Sequence, residues 1–206
     1  MYAIVEDNNI TQFINQPKSI VVGDVRYPAK IFQLWSESEL NAIGIFEVIT
    51  DSTNKKDEAY YINTNEQFDY ANNQVTRSWG TATPKRLEDE DAVDEDGENI
   101  LDDDGNQVIN YGLKTEKKRI VKQQASGLLA PTDWYVVKAT EVEDYNVPEN
   151  ITTYRAEVRA KSNEMENQID ACTTVEELET LYTYVNTGTE KNPVIERPLA
   201  EFPKEI

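Results

Sequence analysis

The chain has 206 residues, with 39 Asp and Glu against 20 Lys and Arg, a formal charge of −19 and no histidine. That balance lacks the surplus cations a duplex nucleic-acid binder needs to displace counterions, would be repelled by an anionic membrane surface, and removes Ser-His, Cys-His and His-metal chemistry together. The single cysteine, Cys172, rules out an intramolecular disulfide and any CxxC zinc site.

The length suits one large domain or two small ones. Met1 to Val5 is apolar, but Glu6 and Asp7 follow at once and no basic stretch precedes, so no targeting signal is expected. No apolar run approaches the ~20 residues needed to cross a bilayer. The protein is expected to stay in the cytosol of the cell that makes it, which an unpaired cysteine suits.

The first third reads as β. Ala3 to Val5 is a strand candidate, Asp7-Asn8-Asn9 a turn, and Ile10 to Ile14 a second strand. Ser19 to Val22 and Lys30 to Trp35 are further strand candidates. Ser36 followed by Glu39 is a capping box that opens a short helix, with Gly44 suited to its C-terminal stop. Ile45 to Thr50 returns to strand. Ala59 to Ile62, Gln67 to Ala71 and Gln74 to Trp79 form a second β segment, with Asn72-Asn73 able to take the positive φ of a tight hairpin.

Residues 85–106 differ. Eleven acids lie between Glu88 and Asp104, within a short repeat: Asp94-Glu95-Asp96-Gly97-Glu98-Asn99-Ile100-Leu101, then Asp102-Asp103-Asp104-Gly105-Asn106-Gln107-Val108-Ile109. Each copy is a turn followed by an apolar pair, which predicts one or two surface hairpins.

After Tyr111-Gly112 the pattern becomes helical. Ile120, Val121, Ala125, Leu128 and Leu129 predict one helix face, ended by Pro131. Thr132 is placed to cap a short helix carrying Trp134, Tyr135, Val137 and Lys138. From Pro148 a helix of roughly 36 Å is expected, at 1.5 Å per residue. Its stripe of Ile151, Tyr154, Val158, Met165, Ile169 and Cys172 must bury against the 114–129 helix or another copy. Thr174 and Glu177 open one more helix. Pro193, Pro198 and Pro203 forbid helix in 186–206, which predicts an extended arm lying on the N-terminal domain or, preferably, on a neighbouring subunit. The fold class expected is α+β: a β-rich docking domain over 1–112, a helical region over 113–185 and the arm over 186–206.

Few chemistries fit these residues. An EF-hand loop counted back from Gly97 starts at Ala92, and from Gly105 at Ile100, so neither copy offers the first ligand. No GxGxxG or GxxxxGK[ST] motif is present. Carboxylate pairs for glycoside hydrolysis arise everywhere by chance among 39 acids. Cys172 sits on the apolar stripe, the place of a buried, unreactive thiol. No catalytic residue, cofactor or metal ligand is nominated. Tyr60, Tyr61, Phe68, Tyr70 and Trp79 read either as hairpin core or as interface anchors. Arg155 and Arg159, one turn apart, read as ion-paired surface residues or as an interface with an acidic patch.

One stretch is more specific. Leu128-Leu129-Ala130-Pro131-Thr132-Asp133-Trp134-Tyr135, then Asn146-Val147-Pro148, then Tyr154-Arg155-Ala156-Glu157-Val158-Arg159 resembles a pattern in tailed-phage tail proteins. It is similar to the C-terminal region of tail-fibre assembly proteins and of small tail-associated proteins. Met1 to Val48, with Tyr27-Pro28, Ser36-x-x-Glu39-Leu40 and Ile43-Gly44-Ile45, also resembles the opening of small tail proteins. The resemblance implies a non-enzymatic structural protein of the virion, in the tail, baseplate or fibre, made in the host cytoplasm. Its implied partners are other tail proteins and copies of itself, with no nucleic acid and no membrane. The assembly proteins usually stop soon after Tyr-Arg. Here a long helix, a capped helix and an arm follow, which favours a component that stays in the particle over a fibre-assembly chaperone. A carboxylate-based hydrolase is the remote alternative. The interface residues nominated are Trp79, Trp134, Tyr154, Arg155, Arg159 and Phe202.

Overall fold

The computed structural model describes all 206 residues, which divide into two compact units, Met1–Pro84 and Lys85–Ile206. The fold is α+β, with strands concentrated in the N-terminal half and helices in the C-terminal half.

The first unit is built on a five-stranded sheet. Its elements are β1 (Tyr2–Glu6), β2 (Asn9–Ile14), β3 (Ile20–Val22), β4 (Val25–Tyr27), α1 (Ile31–Leu34), α2 (Glu37–Asn41), β5 (Ile45–Thr50), β6 (Tyr61–Ile62), β7 (Gln67–Ala71), β8 (Gln74–Ser78) and β9 (Thr83–Pro84). The order across the sheet is β2-β1-β5-β8-β7, antiparallel except for the β5–β8 pair. The tight turns follow from asparagine and aspartate, which tolerate positive φ: Asp7 and Asn8 link β1 to β2, and Asn72 and Asn73 link β7 to β8.

The strand period of two sorts side chains between two layers. Ile4, Ile14 and Ile45 face one side and pack with Ile20, Ile31 and Leu40. Ala3, Val5, Phe46 and Val75 face the other, with Ile10, Val48 and Tyr70. The sheet's outer strands curl toward each other on this side, where the rings of Phe13 (β2) and Phe68 (β7) lie 4.4 Å apart. Gly44 holds the junction before β5 at φ +80°, and a Cβ there would lie 2.7 Å from the Val5 carbonyl, so glycine alone fits without strain.

Two N-terminal expectations change. Lys30–Trp35 is not a strand: α1 occupies it, begun by the Ile31 N–H to Pro28 carbonyl bond of 3.2 Å. A short apolar run does not reveal its period. Here Ile31 enters the core, Phe32 stacks on Tyr2 and Trp35 on Tyr27, a helical spacing. Ala59–Ile62 shrinks to β6, because Tyr60 and Tyr61 both donate their N–H groups to the Asp57 carbonyl in a turn. The Ser36–Glu39 capping box forms in full.

The second unit contains β10 (Glu90–Asp91), β11 (Ile109–Asn110), α3 (Leu113–Leu129), α4 (Asp133–Glu141), α5 (Glu149–Ala171), α6 (Val175–Tyr182), β12 (Val185–Asn186) and β13 (Ile195–Glu196). The division falls at Pro84, not near 112–114, because the acidic segment packs on the helices. Leu113 and Lys114 donate their N–H groups to the Arg86 and Leu87 carbonyls, and the Lys114 ammonium, almost buried, bonds Glu88 and the Asp170 carbonyl. Gly112 permits this approach, since any Cβ would overlap the Glu88 carbonyl.

The eight-residue repeat folds as a closed unit. Ala92 N–H donates to Val108 O, Ile100 N–H to Ala92 O, and Val108 N–H to Ile100 O, at 2.8–2.9 Å. The matching positions of the two copies, Ile100 and Val108, thus complete a three-membered ring of backbone bonds with Ala92, which precedes them. Each turn is closed by its first aspartate: Asp94 accepts from the N–H groups of Asp96 and Glu98, and Asp102 from those of Asp104 and Asn106. The Asn106 N–H, its side-chain amide and neighbouring backbone donors pull the Asp102 pKa below the usual carboxylate range.

Helix α5 buries the expected stripe of Ile151, Tyr154, Val158, Met165 and Ile169. It packs on α3 through Val121 and Ala125; Ile120, expected on that face, points outward at 41% exposure. Along one edge of this pairing, Lys118 reaches Asp170 at 2.6 Å and Lys122 reaches Glu166 at 3.2 Å. The Thr174–Glu177 capping box forms and starts α6.

The arm over 186–206 contains no helix, as its prolines require. It is not wholly extended: β12 and β13 pair as a hairpin. Part of it lies on α5 and α6 of its own unit. Leu199, 2% exposed, donates its N–H to Leu181 O. The Gln168 amide on α5 donates to Pro198 O at 3.1 Å and accepts from Ala200 N–H at 2.8 Å, pairing with the arm as a strand would.

Candidate docking site

The two stretches that carry the family resemblance meet in one corner of the second unit. Residues 130–132 form a 3-10 turn that joins α3 to α4, and the turn packs on the N-terminal half of α5. Arg155 is the pin. The residue is 7% exposed, and its guanidinium donates to Leu129 O at 2.9 Å, Thr132 Oγ1 at 2.6 Å and Asp133 Oδ1 at 2.8 Å. A planar fork of donors suits three acceptors spread over five residues, where a lysine ammonium would not. Beside it the buried Tyr154 directs its hydroxyl at Leu128 O, 3.5 Å away.

Thr132 therefore does not cap α4 with its hydroxyl. Its Oγ1 donates to Leu129 O and accepts from Arg155. The 3-10 turn runs straight into α4, and the Asp133 N–H already bonds Ala130 O, so the expected cap has less to do. Phe202 closes the corner from the arm, packed beside Ala125, Tyr154 and Val158.

The nominated interface residues are thus divided. Tyr154, Arg155 and Phe202 come together, but as internal packing: Arg155 is not a surface ion pair. Arg159, one turn on, is exposed and donates to Arg155 O at 3.3 Å. Trp79 belongs to the first unit and is buried, with the Lys55 ammonium 5.0 Å and the Arg77 guanidinium 4.7 Å from its ring. Only Trp134 both belongs to the corner and is exposed, at 51%, with its ring 3.8 Å from that of Tyr135.

The residues of α4 carry only one sign of how exposed it is. No residue of α4 is buried, and Val136 and Val137 are exposed with Trp134. That sign is charge: α3 and α5 share two ion pairs along their edge, whereas 133–141 has one, Asp133 with Arg155 at its very start. Two other surfaces expose apolar groups: Val93, Ile100, Leu101 and Tyr111 on the acidic lobe, and Tyr184, Val185, Val194 and Ile195 on the arm hairpin.

Cys172 is buried, and burial pushes its thiol pKa up, away from the thiolate needed of a nucleophile. No helix is long and apolar enough to cross a membrane. No family model matches the chain, and no curated protein or solved structure is significantly similar to it.

Proposed function

We propose that this protein is a non-enzymatic structural component of a bacteriophage tail, working by protein–protein docking. The observation that carries the reading is the corner itself. The residues of the tail-protein pattern, Leu128 to Tyr135 and Tyr154 to Arg159, are not scattered; they interlock through Arg155 and hold the Trp134 helix outside the core. A shared pattern whose members are spent on positioning an exposed helix suits a docking module. The exposed apolar groups on the acidic lobe and the arm hairpin give further places to meet other subunits. Tail partners include other tail proteins and copies of this chain. A fibre-assembly chaperone is the second reading, favoured by the same pattern.

Mass spectrometry of gradient-purified particles tests the proposal. A tail component is present at a fixed ratio to the major tail protein after repeated banding. A chaperone is abundant in the lysate and missing from the particles.

A further inference from the structure

We propose that α4 is a preformed recognition helix, which inserts Trp134 and Val137 into an apolar groove with a basic rim on a partner protein. The inference deepens the docking reading and rests on it. Trp134 and Val137 stand one turn apart, 51% and 52% exposed, with Val136 beside them. Anchors at i and i+3 are what a helix offers a groove. A tryptophan in such a position is the residue type that most often dominates an interface.

The helix is tied to α5 at its start and closed by local contacts at its end, without burying any side chain of its own. At its start, Arg155 ties Thr132 and Asp133 to α5. At its end, the Lys138 ammonium lies 4.3 Å from the Tyr145 ring, and Val142 and Tyr145 continue the turn through their backbone N–H groups. A helix of nine residues is too short to persist alone in water. Here it is held in shape before any partner arrives, which lowers the ordering cost of association.

Charge selects the occupant. Glu141 lies on the face of Trp134 two turns on, and Glu143 and Asp144 follow in the next turn; none of the three has a salt bridge. The only carboxylate at the other end, Asp133, is neutralised by Arg155. Lys138, the one cation of α4, lies over the Trp134 and Tyr145 rings at 5.8 and 4.3 Å; the rim beyond it, with Glu141, Glu143 and Asp144, is acidic, and its complement is basic. A second copy brings the same acids and a charge of −19, and is disfavoured.

The test uses the full chain labelled with 5-fluorotryptophan, whose three resonances belong to Trp35, Trp79 and Trp134. The Trp134 signal is assigned with Trp134→Phe. The probes are a synthetic amphipathic Leu/Lys helical peptide and its Leu/Glu counterpart. The Leu/Lys peptide is expected to move the Trp134 resonance and leave the other two in place, while the Leu/Glu peptide moves none. Val137→Asp, which adds a negative charge to an exposed position, should weaken Leu/Lys binding at least tenfold, and Val137→Ser several-fold, with unchanged circular dichroism. Binding by Val137→Asp as tight as, or tighter than, the unaltered chain would show that bulk charge alone attracts the peptide, and would overturn the proposal. So would a Trp134 resonance that never moves. Sedimentation velocity showing a dimer that Val137→Asp dissolves would assign the face to a second copy instead. Any of these results with the protein still present in purified particles would remove this surface and leave the tail reading standing.

Discussion

Arg155 links the sequence pattern to the fold through a single side chain. A buried guanidinium with three acceptors is stabilising only while all three are in place. Arg155→Ala removes the donor to Thr132 Oγ1 and Asp133, leaves Leu129 O with the Thr132 hydroxyl alone, and is expected to cost about 2–4 kcal/mol in urea unfolding. Arg155→Lys should recover less than half of that loss, because one ammonium cannot serve three separated acceptors. A lysine variant as stable as the original would show that charge, not the fork, holds the corner. Val158 is fully buried where α5 meets the corner. Val158→Asp places a carboxylate there without a partner, and should cost at least about 3 kcal/mol; a change under about 1 kcal/mol would contradict the packing described. These roles were not legible in advance. The i, i+4 spacing of Arg155 and Arg159 predicts a shared face but cannot say which of the two is buried, since that depends on where the α3–α4 turn lands.

Elements whose cause is local were readable, and those whose cause is tertiary were not. Two asparagines at Asn72-Asn73 and two capping boxes each specify their own turn or helix start within a few residues. The stripe of α5 repeats often enough to define its buried face. By contrast, Lys30–Trp35 is too short to show a period, and the boundary at Pro84 depends on contacts between Glu88, Lys114 and Asp170 that are distant in sequence. The arm's place was equally hidden, because Gln168 gives no sign of being a backbone clip. The α3–α5 edge carries a pH prediction. The hydrogen bond to Asp170 raises the Lys118 pKa above its ordinary value, against a smaller opposing effect of burial. A raised lysine pKa contributes stability that is complete below the unfolded value of about 10.4 and is lost as pH rises through the folded value. Stability should therefore fall above about pH 10, and Lys118→Met should flatten that part of the fall. An unchanged alkaline profile in Lys118→Met would remove the pair as its source.

At the scale of the whole molecule, each unit has its own core, and the acidic lobe belongs to the helices. A fragment of residues 85–206 should fold with helical circular dichroism and a cooperative melt. A fragment starting at Leu113 loses the Glu88 partner of Lys114 and the carbonyls that receive the first α3 N–H groups, and should melt several degrees lower. Equal melting of the two fragments would return the boundary to residue 112. The charge of −19 opposes association between copies, so docking, to a copy or to another protein, has to be driven by exposed apolar anchors rather than by general attraction. The central claim is that the chain docks into a tail and stays there by way of α4. It is tested most directly by quantitative mass spectrometry of gradient-purified particles assembled with the unaltered chain or with Val137→Asp. The account predicts the unaltered protein in the particles at a fixed ratio, and the variant folded and soluble in the lysate but depleted from the particles at least tenfold. Equal incorporation of both, or absence of the unaltered protein from the particles, would contradict it.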